Sequence, residues 1–154
     1  MKRIMALIDF SDVTPAVVSI ARNMSRALMS ELVLVHVVES ETPLGDGEIQ
    51  EDLSPESNAR RSRRREMEIV KLALKKEGID AKTRIVEADS LRDNVVRRIF
   101  AEVAEFSPDL IVIGSHGHGR LYHFLVGGVA DTVVRKAACP VLIVPSRKAE
   151  KRAP

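Results

Sequence analysis

Gly114, Gly117, Gly119, Gly127 and Gly128 carry the most chemically suggestive spacing in this chain, within residues 114–129, GSHGHGRLYHFLVGGV. An apolar run over residues 110–113 stops at the first of these glycines, and three fall within six positions. Glycine there permits positive φ and lets a ligand approach bare backbone N–H groups. Gly127 and Gly128 precede a helical pattern whose N-terminus carries partial positive charge, so the chemistry on offer is anion binding, with phosphate the natural anion.

Other groups compete for attention. His116, His118 and His123 fall within eight residues and raise the question of a metal. Zinc needs a firmer frame of Cys, His or carboxylate ligands, and none lies close in sequence, so no metal site of the protein's own is expected. A Mg²⁺ held mainly through nucleotide phosphates is compatible with the loop. Neither a Walker A sequence nor a dinucleotide GxGxxG is present. His36 reads as a satisfied strand residue, and Cys139, before Pro140, as a small apolar one. The run Arg60, Arg61, Arg63, Arg64 and Arg65 could be a nucleic-acid patch. Six acidic residues between Glu41 and Glu56 precede it and can neutralise it, so a solvated surface is expected instead and nucleic acid is not an expected partner.

The elements that must position these groups alternate strand and helix. Residues 3–8 read as a buried strand, and Thr14-Pro15 as a helix start, with the Thr14 hydroxyl as cap. Val17, Ile20, Ala21, Met24, Ala27 and Leu28 form the buried stripe of a helix ending near Met29. Residues 32–38 are apolar on both faces except His36, as befits the middle of a parallel sheet covered on both sides. Residues 39–58 read as a loop, and Ser54-Pro55 opens a helix stopped at Gly78 in a Schellman-type end. A weaker, alternating strand at 81–86 suits an edge. Ser90 and Asp93 resemble a capping box for a helix with Val96, Ile99, Val103 and Phe106 on one face. A strand at 110–113, a helix marked by Val129, Val133, Val134 and Ala137, and a strand at 141–144 complete the chain.

Five strands alternating with four helices predict an α/β fold, an open five-stranded parallel sheet, doubly wound; if its order is 3-2-1-4-5, the reversal falls between strands one and four. A ligand then binds beyond the carboxyl ends of the strands, where strand order reverses. Asp9 would face the glycine loop across that crevice, with Val37 alongside. A loop for phosphates, a carboxylate for ribose hydroxyls and backbone at Val37 for a base edge favour a nucleotide over bare phosphate. Asp9 could instead simply cap its own turn. With 154 residues, 45% hydrophobic and 30% charged, one domain over residues 1–146 is expected, with a basic, disordered tail at 147–154. The net charge of +2 argues for neither nucleic acid nor a membrane. No apolar run reaches spanning length and no export-like segment follows Lys2 and Arg3, so a cytoplasmic protein with no membrane partner is expected.

The segments IDFSD, HVVE, GSHG, VGGVADTVV and CPVLIVP together resemble the universal stress protein family, in the right order over nearly the whole chain. The nucleotide motif of that family is Gly, two residues, Gly, nine residues, Gly, then Ser or Thr. Gly114, Gly117 and Gly127 match it, whereas Gly128 stands where ATP-binding members carry a hydroxyl. The resemblance implies an adenine nucleotide alpha-hydrolase-like fold and ATP or another adenine nucleotide as ligand. It implies a site drawn from Leu7, Ile8, Asp9, Val37, Ile113, Gly114, His116, Gly117, Gly127, Gly128 and Val129. It also implies a homodimer paired through the last strand, Val141, Leu142, Ile143 and Val144. The function implied is that of a stress-response regulator or sensor. A nucleotide-independent dimeric scaffold and a slow ATP hydrolase are the alternatives, and no catalytic residue is assigned.

Overall fold

The structure, a computed structural model, describes residues 1–40, 55–89, 94–115 and 128–146. Most of the expected 39–58 loop, the Ser90 and Asp93 pair, His116, Gly117, Gly127 and the 147–154 tail lie outside these residues.

The described elements run β1 (Arg3–Leu7), α1 (Thr14–Leu28), β2 (Glu31–Ser40), α2 (Pro55–Lys76), β3 (Lys82–Asp89), α3 (Val95–Phe106), β4 (Leu110–Gly114), α4 (Gly128–Lys136) and β5 (Val141–Val144). All strand pairs are parallel, in the order β3-β2-β1-β4-β5. The alternation of side chains along a strand feeds two cores. Ile4, Ala6, Leu32, Leu34, Leu110 and Val112 pack with Val17 and Ala21 of α1 and Met67 and Leu74 of α2. Met5, Val33, Val35 and Ile111 pack on the other face with Ile99 of α3 and Val133 of α4. The central strands are apolar on both faces for this reason.

Several local expectations change. Thr14 does not cap α1: Val13 occupies the N-cap position with no side-chain bond, and Pro15 stands in the first turn one position later than expected. The helix stops at Met29, which adopts the left-handed region at φ 50° while Ser30 N–H donates to Ser25 O at 2.9 Å. Ala27 and Leu28, assigned to the buried stripe, are exposed. The cap of α3 is Asn94, whose side chain accepts from Arg97 N–H at 2.8 Å. Ile99, Val103 and Phe106 pack on the core as expected, joined there by Val95 in place of Val96. The α2 stop is as expected: Gly78 has φ 82° and Ile79 N–H donates to Leu74 O at 3.0 Å. The second and third strands extend further than their apolar runs, because register pairing continues through Ser40 and Asp89.

One polar feature was not legible. Glu102 of α3 is buried, and Arg84 of edge strand β3 reaches it at 2.8 Å and Glu105 at 2.5 Å. The two carboxylates raise the guanidinium's affinity for its proton further, and Arg84 in turn holds Glu105 below the ordinary carboxylate range. Arg84→Met keeps the aliphatic stem but leaves Glu102 without its cation, a loss of about 1–3 kcal/mol for a buried acceptor stripped of its donor. A urea unfolding midpoint indistinguishable from wild type would show that solvent replaces the arginine without cost.

Candidate functional site

The site is built at the carboxyl ends of β1 and β4, the neighbours on either side of the reversal in strand order. Leu7 pairs with Ile113, which pairs in turn with Ile143. The side chains of Leu7, Ile8 and Ile113 are buried in the cores, so what these residues offer a ligand is backbone. Ile8 is already engaged: its N–H donates to Val35 O at 3.0 Å, and its carbonyl lies 2.9 Å from His36 Nδ1. Ile8 thus belongs to the frame of the crevice. Val37 follows His36 on β2 with its side chain packed toward α3 and α4.

Asp9 emerges where β1 ends. One carboxylate oxygen, Oδ1, accepts from Ser11 N–H at 3.0 Å, Ser11 Oγ–H at 2.5 Å and Thr14 Oγ1–H at 3.2 Å. Thr14, expected to cap the helix, spends its hydroxyl on the aspartate instead. Asp9 therefore does organise its own turn, and that turn fixes where the carboxylate sits. Between them Phe10 takes φ 59°, a conformation that costs a bulky L-residue about 1–2 kcal/mol and persists only where surroundings hold it. Its ring meets His36 edge-on, centroids 4.8 Å apart at 74°, and the Arg63 guanidinium lies 5.3 Å from the Phe10 centroid.

His36 is buried, and burial pushes its pKa below the ordinary histidine value. The bond to Ile8 O opposes that shift, Arg63 adds to it, and Asp9 and Glu66 oppose it more weakly. The expectation of a satisfied strand histidine agrees with this geometry. A neutral ring with Nδ1–H donating to Ile8 O links β2 to the β1 exit.

On the other side, Gly114 closes β4 opposite Val144. Ser115, buried, donates its N–H to Val144 O at 2.8 Å and accepts from Ser146 N–H at 3.2 Å on Oγ, tying the exits of β4 and β5 together. Gly128 is the first residue of α4, its carbonyl accepting from Thr132 Oγ1–H at 2.8 Å. A Cβ added at Gly128 would meet no atom of the described residues within 4 Å. Val129, next along, is exposed. The N-terminal N–H groups of such a helix have no intrahelical acceptor, which makes them anion donors.

Sequence reasoning singled out Asp9 and the glycines but not the groups that hold the Asp9 turn, Ser11, Thr14, Phe10 and Arg63. The Asp-x-Ser spacing of an aspartate-capped turn was a usable signal for Ser11; nothing local pointed to Arg63, more than fifty residues away. Of the arginine run, Arg61, Arg64 and Arg65 are exposed as expected, whereas Arg60 pairs with Glu87 at 3.4 Å and Arg63 turns to Phe10 and Glu66. Cys139 packs against the α3/α4 core, and burial raises its thiol pKa. At the opposite, amino end of the sheet, Asp109 Oδ2 accepts from Lys2 and Arg3 N–H at 2.6 and 2.9 Å, bonds that lower its carboxyl pKa and fasten β1 to the start of β4. No helix among the described residues is long and apolar enough to cross a membrane, and no group of three potential metal ligands occurs among them.

The profile of the universal stress protein family matches residues 1–145. A universal stress protein of Methanocaldococcus jannaschii is 29% identical over 97% of this chain and 85% of its own length. Among solved structures, a universal stress protein family member from Burkholderia pseudomallei superposes with a TM-score of 0.71 at 25% identity, covering 94% of this chain and 96% of that one. The universal stress protein from Archaeoglobus fulgidus in complex with dAMP gives a TM-score of 0.60 at 22% identity, covering 93% and 96%. A doubly wound sheet of this order, matched over nearly its whole length, places the chain in the universal stress protein family.

Proposed function

We propose that this protein binds an adenine nucleotide in the crevice between β1 and β4 and acts as a stress-response regulator of the cytoplasm. The observation that carries the reading is the Asp9 turn at the switch point, a carboxylate fixed in place two residues beyond Leu7, whose β4 partner Ile113 directly precedes Gly114. The dAMP complex of the Archaeoglobus fulgidus relative supports an adenine nucleoside monophosphate as a ligand for such a crevice. In this reading Asp9 takes ribose hydroxyls and backbone at Val37 meets the adenine edge. Gly114, His116, Gly117 and Gly127 surround the phosphates, with the N–H groups of Gly128 and Val129 at the start of α4. Mg²⁺, with a triphosphate bound, would take its oxygens chiefly from the phosphates and serve to neutralise their charge. Domain limits of 1–146 accord with the family match and with the last described strand.

A homodimer through β5 belongs to the same reading. β5 is an edge strand whose Val141, Leu142 and Ile143 stay half-buried, and an apolar edge left open is an aggregation hazard that pairing with a twin removes. Sedimentation at micromolar concentration should give twice the 17.0 kDa chain mass; a monomer would remove this part of the proposal. The nucleotide is tested by mass spectrometry of small molecules released from the purified protein, and by calorimetric titration with ATP, ADP and AMP. Saturable binding of at least one is expected. No released nucleotide and no heat or thermal shift at millimolar concentrations would leave the dimeric scaffold as the better account.

A further inference from the structure

We propose that Arg63, a residue of the surface arginine run on α2, is a positioning residue for the nucleotide crevice: it holds Phe10, and through it the turn that carries Asp9. This rests on the nucleotide reading above. Residues 8–10 leave β1 in a path that includes a left-handed phenylalanine, and such a conformation relaxes unless its surroundings over-determine it. β2 supplies one restraint, through Val35 O to Ile8 N–H at 3.0 Å and His36 Nδ1 to Ile8 O at 2.9 Å. Beyond Ile8 the ring of Phe10 is the handle, with His36 edge-on at 4.8 Å and the Arg63 guanidinium at 5.3 Å. Cation and ring attract at that distance.

Arg63 is itself kept in place. Its Nη1 donates to Glu66 Oε2 at 2.8 Å one turn along α2, and its side chain is 33% exposed, against 41% for the ion-paired Arg60. The fork therefore stands between the helix and the aromatic ring with one direction fixed by the glutamate. Asp9, Arg63 and Glu66 are the charged groups that act on His36, from the β1 exit and from α2. Burial lowers the His36 pKa and Arg63 lowers it further, while Asp9 and Glu66 oppose both. The unfolded chain consequently takes up a proton on this histidine before the folded one does. Stability contributed by the neutral ring is complete above the ordinary histidine pKa of about 6.5 and is lost as pH falls from there through the depressed folded value. Removing Arg63 moves the folded value up toward the ordinary one.

The test compares Arg63→Met, which retains a straight stem without charge, with Arg63→Lys, which keeps a cation for the ring. AMP is the probe, and hydrogen exchange of the Ser11 amide, bonded to Asp9 Oδ1, reports the turn in the ligand-free protein. Arg63→Met should weaken AMP about two- to fivefold, the fold-change of a partly exposed cation–ring contact. It should speed Ser11 exchange and raise the His36 titration midpoint seen by NMR, while Arg63→Lys restores affinity and protection. Weaker AMP with Ser11 exchange unchanged would make Arg63 a direct ligand contact and overturn the proposal, as would wild-type behaviour of Arg63→Met in both measurements. If the wild-type protein binds no adenine nucleotide, the functional reading fails by itself, and the Ser11 exchange of the two variants alone decides whether Arg63 holds the turn.

Discussion

Gly128→Ser is expected to tighten ATP binding by about one to two decades, the equivalent of about 1.5–3 kcal/mol for a hydroxyl donating to a charged phosphate. The structure favours this outcome at each step. Gly128 opens α4, its φ lies outside the left-handed region, and an added Cβ meets no atom of the described residues within 4 Å, so serine enters without displacing any of them. The hydroxyl then joins backbone N–H groups already turned out of the helix end. It also completes the family motif at the single position where Gly114, Gly117 and Gly127 stand without their usual partner. Because the gain comes from a phosphate contact, AMP should gain less than ATP. Parallel calorimetric titrations of the two proteins with ATP and AMP measure both quantities. An unchanged ATP dissociation constant would show that the wild-type backbone already satisfies the phosphate.

The second large effect is expected at Asp9. Asp9→Ala removes a carboxylate assigned to ribose, at a cost of about one to two decades of nucleotide affinity for a charge-assisted hydrogen bond. It also withdraws the common acceptor of Ser11 N–H, Ser11 Oγ–H and Thr14 Oγ1–H, and Thr14 is buried. Folding stability should fall by about 1–2 kcal/mol as those donors lose their partner and the strained Phe10 loses its turn. Asp9→Asn separates the two roles. The amide oxygen can still accept from Ser11 and Thr14, so chemical denaturation should show most of the stability restored, whereas affinity should remain reduced because the charge is gone. Equal affinity of Asp9→Asn and wild type would mean that the aspartate serves the turn and not the ribose.

The two predictions draw on different kinds of information. The case for Gly128→Ser starts from glycine spacing, which is visible in the chain because the loop geometry it encodes is local. The case for Asp9 needs the hydroxyls around it. Thr14 next to Pro15 reads locally as a helix cap, and both that reading and an aspartate-capped turn satisfy local rules. Packing chose between them: Val13 is buried at the N-cap position, which aims Thr14 back toward the β1 exit. The Ser90 and Asp93 signal was displaced in a similar way by Asn94, a third polar residue in the same stretch whose side chain makes the bond.

By itself the sequence determined the alternation of elements and the open parallel, doubly wound class of sheet, while the order β3-β2-β1-β4-β5 was decided by the strand pairing. The first two follow from hydrophobic periodicity, from Gly and Pro punctuation, and from the few topologies open to alternating strands and helices. It also carried the family, since the motif segments occur in order along nearly the whole chain. Only the tertiary structure decided that Arg63 reaches Phe10, that Arg84 is matched to a buried Glu102, and that His36 ties β2 to Ile8. Those contacts join residues between 18 and 53 positions apart. A long charged side chain reads the same in sequence whether it points to water or across to another element, and the choice is made by which groups the packed helices and strands bring within its reach.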